Sequence, residues 1–118
     1  MSIENALAGI AVKDLGAAVR WYEKVFDRSA DSQPMPEVAE WRFAKGGWIQ
    51  VFQDAERAGS SSVTLAVDDL DETVSALNAK GIETTNRRDT KSVKTAMIND
   101  LDGNRIVLAE ALVGSMAQ

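Results

Sequence analysis

The sequence predicts an α+β fold made of two copies of one β-α-β-β-β unit, and three observations carry that prediction. An alternating stretch running into a helical stretch occurs at Leu7 to Phe26 and again at Ser62 to Gly81. The two copies share residues in register: Ile10, Ala11, Val12, Asp14, Leu15 and Val19 match Leu65, Ala66, Val67, Asp69, Leu70 and Val74, 55 positions on. After each helix the apolar period falls back to two, as strands require.

In the first copy, Leu7 to Lys13 alternates, with Ile10 and Val12 on one face and Leu7, Gly9 and Ala11 on the other. Asp14 has the position of an N-cap, and Leu15, Val19, Tyr22 and Phe26 then recur at helical spacing as one apolar stripe. Trp21 lies at the border of that stripe, and Tyr22 reads as core. The polar stretch Asp27 to Glu37 carries Pro34 and Pro36, which suit an edge, so one short strand is expected there. Glu40 to Ala44 and Trp48 to Gln53 read as strands joined by a tight turn through Lys45-Gly46-Gly47. A turn that tight would put Trp41, Phe43, Trp48, Gln50 and Phe52 on one face, with Ile49 and Val51 on the other.

Asp54 to Ser61 has a linker's composition. In the second copy Val63, Leu65 and Val67 alternate with Ser62, Thr64 and Ala66. Asp69-Leu70-Asp71-Glu72 has the spacing of a capping box, and Lys80-Gly81 supplies a helix end. Ile82 to Arg88, Val93 to Asn99 and Arg105 to Ala111 read as strands, with the turn Asp100-Leu101-Asp102-Gly103-Asn104 before the last. The expected organisation is a single domain over 1–118, with module one about 6–53, the linker 54–61 and module two about 62–112. The tail from Val113 to Gln118 is expected to fray.

At 118 residues, 45% hydrophobic and 26% charged, the chain suits one compact core. A net charge of −5 argues against nucleic acid and anionic membranes, both of which demand a basic face. No run approaches the roughly 18 apolar residues of a membrane helix, and Met-Ser-Ile-Glu-Asn lacks the regions of a signal peptide, so a cytoplasmic protein is expected. There is no cysteine and no histidine. Thiol chemistry is thereby excluded, along with the commonest general base and the commonest transition-metal ligand.

The repeat, the strand-Asp-Leu-helix opening with Trp21-Tyr22, and the late turn together resemble the vicinal oxygen chelate superfamily, which contains glyoxalases, bleomycin-resistance proteins and extradiol dioxygenases. The family's turn usually reads Asp-Pro-Asp-Gly-Asn, and Leu101 replaces the proline here. The resemblance implies that the two modules form a cupped, half-barrel-like mixed sheet with helices on the outer face. It also implies four metal-ligand places, which fall on Leu7, Gln50, Ser62 and Val107. Leu and Val have no donor atom, and Ser and Gln are weak neutral ones, so no metal and no other cofactor is expected. A ferredoxin-like fold is the alternative, with fewer strands after each helix.

Strand parity, taken without the family, leaves Leu7, Gly9, Ala11, Trp48, Gln50, Phe52, Ser62, Thr64, Ala66, Arg105, Val107 and Ala109 on the face away from the helices. The candidate ligand-binding residues are therefore Trp41, Phe43, Trp48 and Phe52 as an aromatic wall, with Gln50, Ser62, Thr64 and Arg105 as polar anchors. The aromatics could equally fill a closed barrel or meet a partner chain, and Arg105 could simply reach solvent. Asp14, Asp69, Asp100 and Asp102 are read as caps and turn formers. The leading expectation is a metal-free, homodimeric protein that binds an apolar or aromatic small molecule, resembling the bleomycin-resistance branch. The alternatives are a lyase, isomerase or dioxygenase, for which only Glu40 or Glu110 offers a carboxylate near the cup rim, and a filled module whose purpose is dimerisation.

Overall fold

A computed structural model describes residues 1–112, and the expectation for the tail at 113–118 lies outside the described residues. The elements run β1 (Leu7–Val12), α1 (Leu15–Phe26), β2 (Ser32–Met35), β3 (Val38–Arg42), β4 (Trp48–Gln53), β5 (Ser62–Ala66), α2 (Leu70–Ala79), β6 (Thr85–Asp89), β7 (Val93–Asn99) and β8 (Arg105–Ala111). Three strands follow each helix, which sets aside the ferredoxin-like alternative. The described residues form two open four-stranded sheets, ordered β1-β4-β3-β2 and β5-β8-β7-β6. In each, the first and last strands of the copy pair in parallel and the other neighbours are antiparallel.

The chain divides into two compact units. One holds Met1–Ser61 with Leu101–Asn104, and the other begins with Ser62–Asp100 and resumes at Arg105. In the first, Asp14 caps α1 by accepting the Ala17 N–H at 3.1 Å. Gln53, from the last strand of the sheet, accepts the Leu15 N–H at 3.0 Å. The helix lays Leu15, Ala18 and Tyr22 onto Ile10, Val12, Ile49 and Val51, all buried. Asp27 closes α1 in the left-handed region with φ 58°.

Beside this core lies an aromatic cluster, with Trp41 5.5 Å from Phe26 and 6.1 Å from Tyr22, and Phe43 5.4 Å from Phe26. Trp41 is fully buried, and its indole N–H donates to the Arg28 carbonyl at 3.2 Å. Trp41 and Phe43 thus sit against α1, not on the face carrying Trp48, Gln50 and Phe52. The correction lies in the hairpin. The Phe43 N–H donates to Gly47 and the Gly46 N–H to Phe43, with Gly46 at φ 98°, so the loop is Ala44-Lys45-Gly46 between the paired Phe43 and Gly47, and its odd length does not give the parity of a two-residue turn that the shared face requires. Trp41 consequently pairs with Ile49, Glu40 with Gln50 and Arg42 with Trp48. One extra loop residue moves the whole partner strand to the other face. The strand also begins two residues earlier than expected, at Val38, where the Gln53 N–H still finds the Glu37 carbonyl.

In the second unit Asp69 caps α2 through the Glu72 N–H at 3.0 Å, and Glu110 accepts the Leu70 N–H at 2.8 Å. Gly81 at φ 81° and the bond from the Ile82 N–H to the Leu77 carbonyl end the helix in a Schellman-type turn. The turn holds Ile82 outside the ladder, so β6 starts at Thr85 and not at Ile82. Val63, Leu70, Leu77, Ile82, Ala96, Ile98, Ile106 and Leu108 make the buried core, and Leu65 is half-buried.

Candidate functional site

On the first sheet, the face turned away from α1 is a grid read from the register. Its middle row runs Gly9, Gln50, Glu40 and Ser32 from β1 to β2. The flanking rows are Leu7, Trp48 and Arg42 on one side and Ala11, Phe52 and Val38 on the other. A polar row thus lies between two rows that each carry an aromatic ring.

Glu40 is 9% exposed, and both carboxylate oxygens are held by neutral donors: the Ser32 hydroxyl at 3.0 Å and the Gln50 amide at 2.9 Å. A carboxylate buried this far is stable only when its lone pairs are matched, and these two bonds match one on each oxygen. Trp48 and Phe52 are half-buried. The Arg42 guanidinium lies 4.9 Å from the centre of the Trp48 ring, and that of Arg57 lies 5.8 Å from the Phe52 ring. Gly9 lets Phe52 lean inward, since a Cβ there would stand 3.2 Å from the Phe52 ring edge.

The structure therefore brings Trp48, Gln50 and Phe52 together and separates Trp41 and Phe43 from them. It places Glu40, expected near the cup rim, in the middle row level with Gln50, and adds Ser32, which reaches that row only through the register shift in β2 and so has no local signal in the sequence. Ser62 and Thr64 lie on the face of the second sheet turned away from α2, paired with Arg105 and Val107 respectively. Ser62, Thr64 and Arg105 are exposed. Glu110 points the other way and serves as a cap for α2.

The donor set at the four family metal places does not fit a tightly held cation. Leu7 and Val107 offer no donor atom, Ser62 is neutral, and the Gln50 amide is committed to Glu40. Among the described residues no three His, Cys, Asp or Glu side chains converge in a way that could hold a metal ion. No helix among the described residues is long and apolar enough to cross a membrane.

Comparison with known proteins agrees with this architecture. Among solved structures, a glyoxalase/bleomycin resistance protein from Catenulispora acidiphila is 30% identical with a TM-score of 0.83, over 91% of this chain and 97% of that one. TnmS3, an antibiotic-binding protein from Streptomyces sp. CB03234, is 22% identical with a TM-score of 0.81, over 94% of this chain and 98% of that one. A glyoxalase/bleomycin resistance protein from the same Streptomyces strain is 21% identical with a TM-score of 0.74, over 89% of this chain and 98% of that one. No curated protein matches the sequence. The family model for the Glyoxalase/Bleomycin resistance protein/Dioxygenase superfamily matches residues 5–108, and the chain belongs to that superfamily.

Proposed function

We propose that the protein binds an apolar or aromatic small molecule on the open face of its first sheet, by burial and stacking and without a metal. The observation that carries this reading is the pairing of two half-buried rings, Trp48 and Phe52, with the hydrogen-bonded Glu40–Gln50–Ser32 row between them. Flat apolar contact beside a few fixed polar atoms is the usual composition of a small-molecule site. A fold neighbour named as an antibiotic-binding protein supports the same class of ligand. The reading takes the protein as a cytoplasmic homodimer, and light scattering would test the dimer.

An enzyme of lyase or isomerase type is the second reading, and Glu40 is the observation that favours it, as a buried carboxylate beside an open face. Turnover of a bound compound that disappears in Glu40→Gln while binding persists would establish it.

The test of the first reading is tryptophan fluorescence against a panel of polycyclic aromatic compounds. Wild-type protein should show saturable quenching, and Trp48→Ala should weaken it at least about tenfold with little change in stability. Trp41→Ala is the control: its ring lies in the core, so that variant should lose about 3–5 kcal/mol of stability. Undiminished binding by Trp48→Ala would overturn the assignment.

A further inference from the structure

The geometry points to an anion-binding site on the open face of the second sheet, one that takes a carboxylate or phosphate carried on a small apolar body. A concavity of about 450 Å³ lies there, lined by Asn86, Arg87, Arg88, Thr95, Met97 and Val107. That volume is in the range of small-molecule pockets, roughly 300–1,000 Å³.

The concavity depends on a β-bulge. Thr85 pairs with Met97 and Arg88 with Thr95, so Asn86 and Arg87 both lie opposite the one residue Ala96. Asn86 takes up the irregularity in the left-handed region at φ 53°, and its amide donates to the Met97 sulfur at 3.3 Å. Without the bulge, continuing from the Thr85–Met97 pair would align Arg88 with Lys94, on the face toward α2. The extra residue brings Arg88 level with Thr95 on the open face instead. Asn is among the residues that tolerate the left-handed region, so the bulge is accommodated at Asn86 while it re-aims one guanidinium onto a concave surface.

The two arginines are not equivalent. Arg87 is already neutralised, with its Nε 2.6 Å from Asp89 and an Nη 2.7 Å from Asp71. Asp71 is held in turn by Lys94 at 2.8 Å. Arg87 is therefore a braced wall. Arg88 makes no ion pair and no side-chain hydrogen bond among the described residues, and its planar fork fits the two oxygens of a carboxylate or phosphate. The Thr95 hydroxyl and the Asn86 amide supply neutral polar contacts, and Met97 and Val107 supply an apolar floor. In a chain of net charge −5, this unopposed cation marks a local site for an anion.

Every aromatic residue, three Trp, one Tyr and three Phe, precedes residue 53. The second sheet therefore carries no fluorescent reporter of its own, and its test reads the Met97 methyl and the Thr95 amide directly. The experiment is an NMR titration of the full chain, labelled at backbone nitrogen and methionine methyls, with benzoate, phenyl phosphate and neutral benzamide at low salt. At least one anion should saturably shift the Met97 methyl and the Thr95 amide, with benzamide at least about tenfold weaker. The tighter of the two anions identifies the oxyanion. Arg88→Gln, an exposed substitution, should cost that anion about tenfold or more in affinity and leave benzamide unchanged. Equal binding of benzamide, no saturable shift with either anion, or full anion affinity in Arg88→Gln would each overturn the site.

Discussion

Asn104 carries more of the first unit than its place in a turn suggests. It is fully buried, its amide N–H donates to the Ala11 carbonyl at 2.7 Å, and its oxygen accepts the Ser61 N–H at 2.9 Å. The Ser61 hydroxyl accepts the Ala11 N–H at 3.1 Å, so both polar groups of a residue inside β1 are met from outside the ladder. Asn104→Ala would leave a buried carbonyl and a buried N–H unmatched at about 1–3 kcal/mol each, so a loss of about 2–4 kcal/mol in urea denaturation is expected. Asn104→Asp should recover little, because it keeps the acceptor for Ser61 but sets a carboxylate against the Ala11 carbonyl. The sequence shows Asn104 as a turn former and no more. Its partner lies 93 positions away, and local spacing holds no information about a contact that only the tertiary fold creates.

At the scale of elements, the legible parts were those whose cause is local. Asp14 and Asp69 were readable as caps because a cap needs only the next three residues. The alternation of Ile10 with Val12 and of Ile49 with Val51 marked the helix-facing side for the same reason. The β3–β4 hairpin was not legible, since two adjacent glycines permit either a two-residue or a three-residue turn, and the difference inverts Trp41 and Phe43. The β6 bulge was hidden likewise, because nothing in Thr-Asn-Arg-Arg-Asp announces an extra residue. The charged network across α2, β6 and β7 gives a prediction at this scale. Asp71 is held below its ordinary value of 3.8, chiefly by its hydrogen bonds with Lys94 and Arg87, and Asp89 is held down by Arg87. A lowered folded value means that the stabilisation is present above the unfolded value and is lost as pH falls through the folded one. The urea midpoint of wild type should therefore drop between about pH 5 and about pH 2 more steeply than that of Asp71→Asn. Parallel curves would show that the network contributes nothing. Lys94 is raised by Asp71, so its share is present below its ordinary 10.5 and is lost only as pH rises above that.

Across the whole molecule, the duplication persists in the scaffold and has diverged on the open faces. Both helices receive a side chain from the last strand of their own sheet at the first backbone N–H, Gln53 for α1 and Glu110 for α2. The open faces differ in their side chains, the first presenting rings around a buried carboxylate and the second arginines and no aromatic residue, while both edge strands, β2 and β6, shift register by one residue. The four places that the family resemblance assigns to metal ligands divide two to each copy, and each pair holds one apolar and one neutral polar residue. Neither Leu7 with Gln50 nor Ser62 with Val107 supplies an anionic or imidazole donor, and a tightly held transition metal requires several. Untagged protein purified without chelator should accordingly carry far less than one transition metal per chain by elemental analysis. A polyhistidine tag must be absent, because it would import the ligand that the sequence lacks. About one metal per chain would mean that donors outside these four places assemble a site, and would return metal-assisted chemistry to the front.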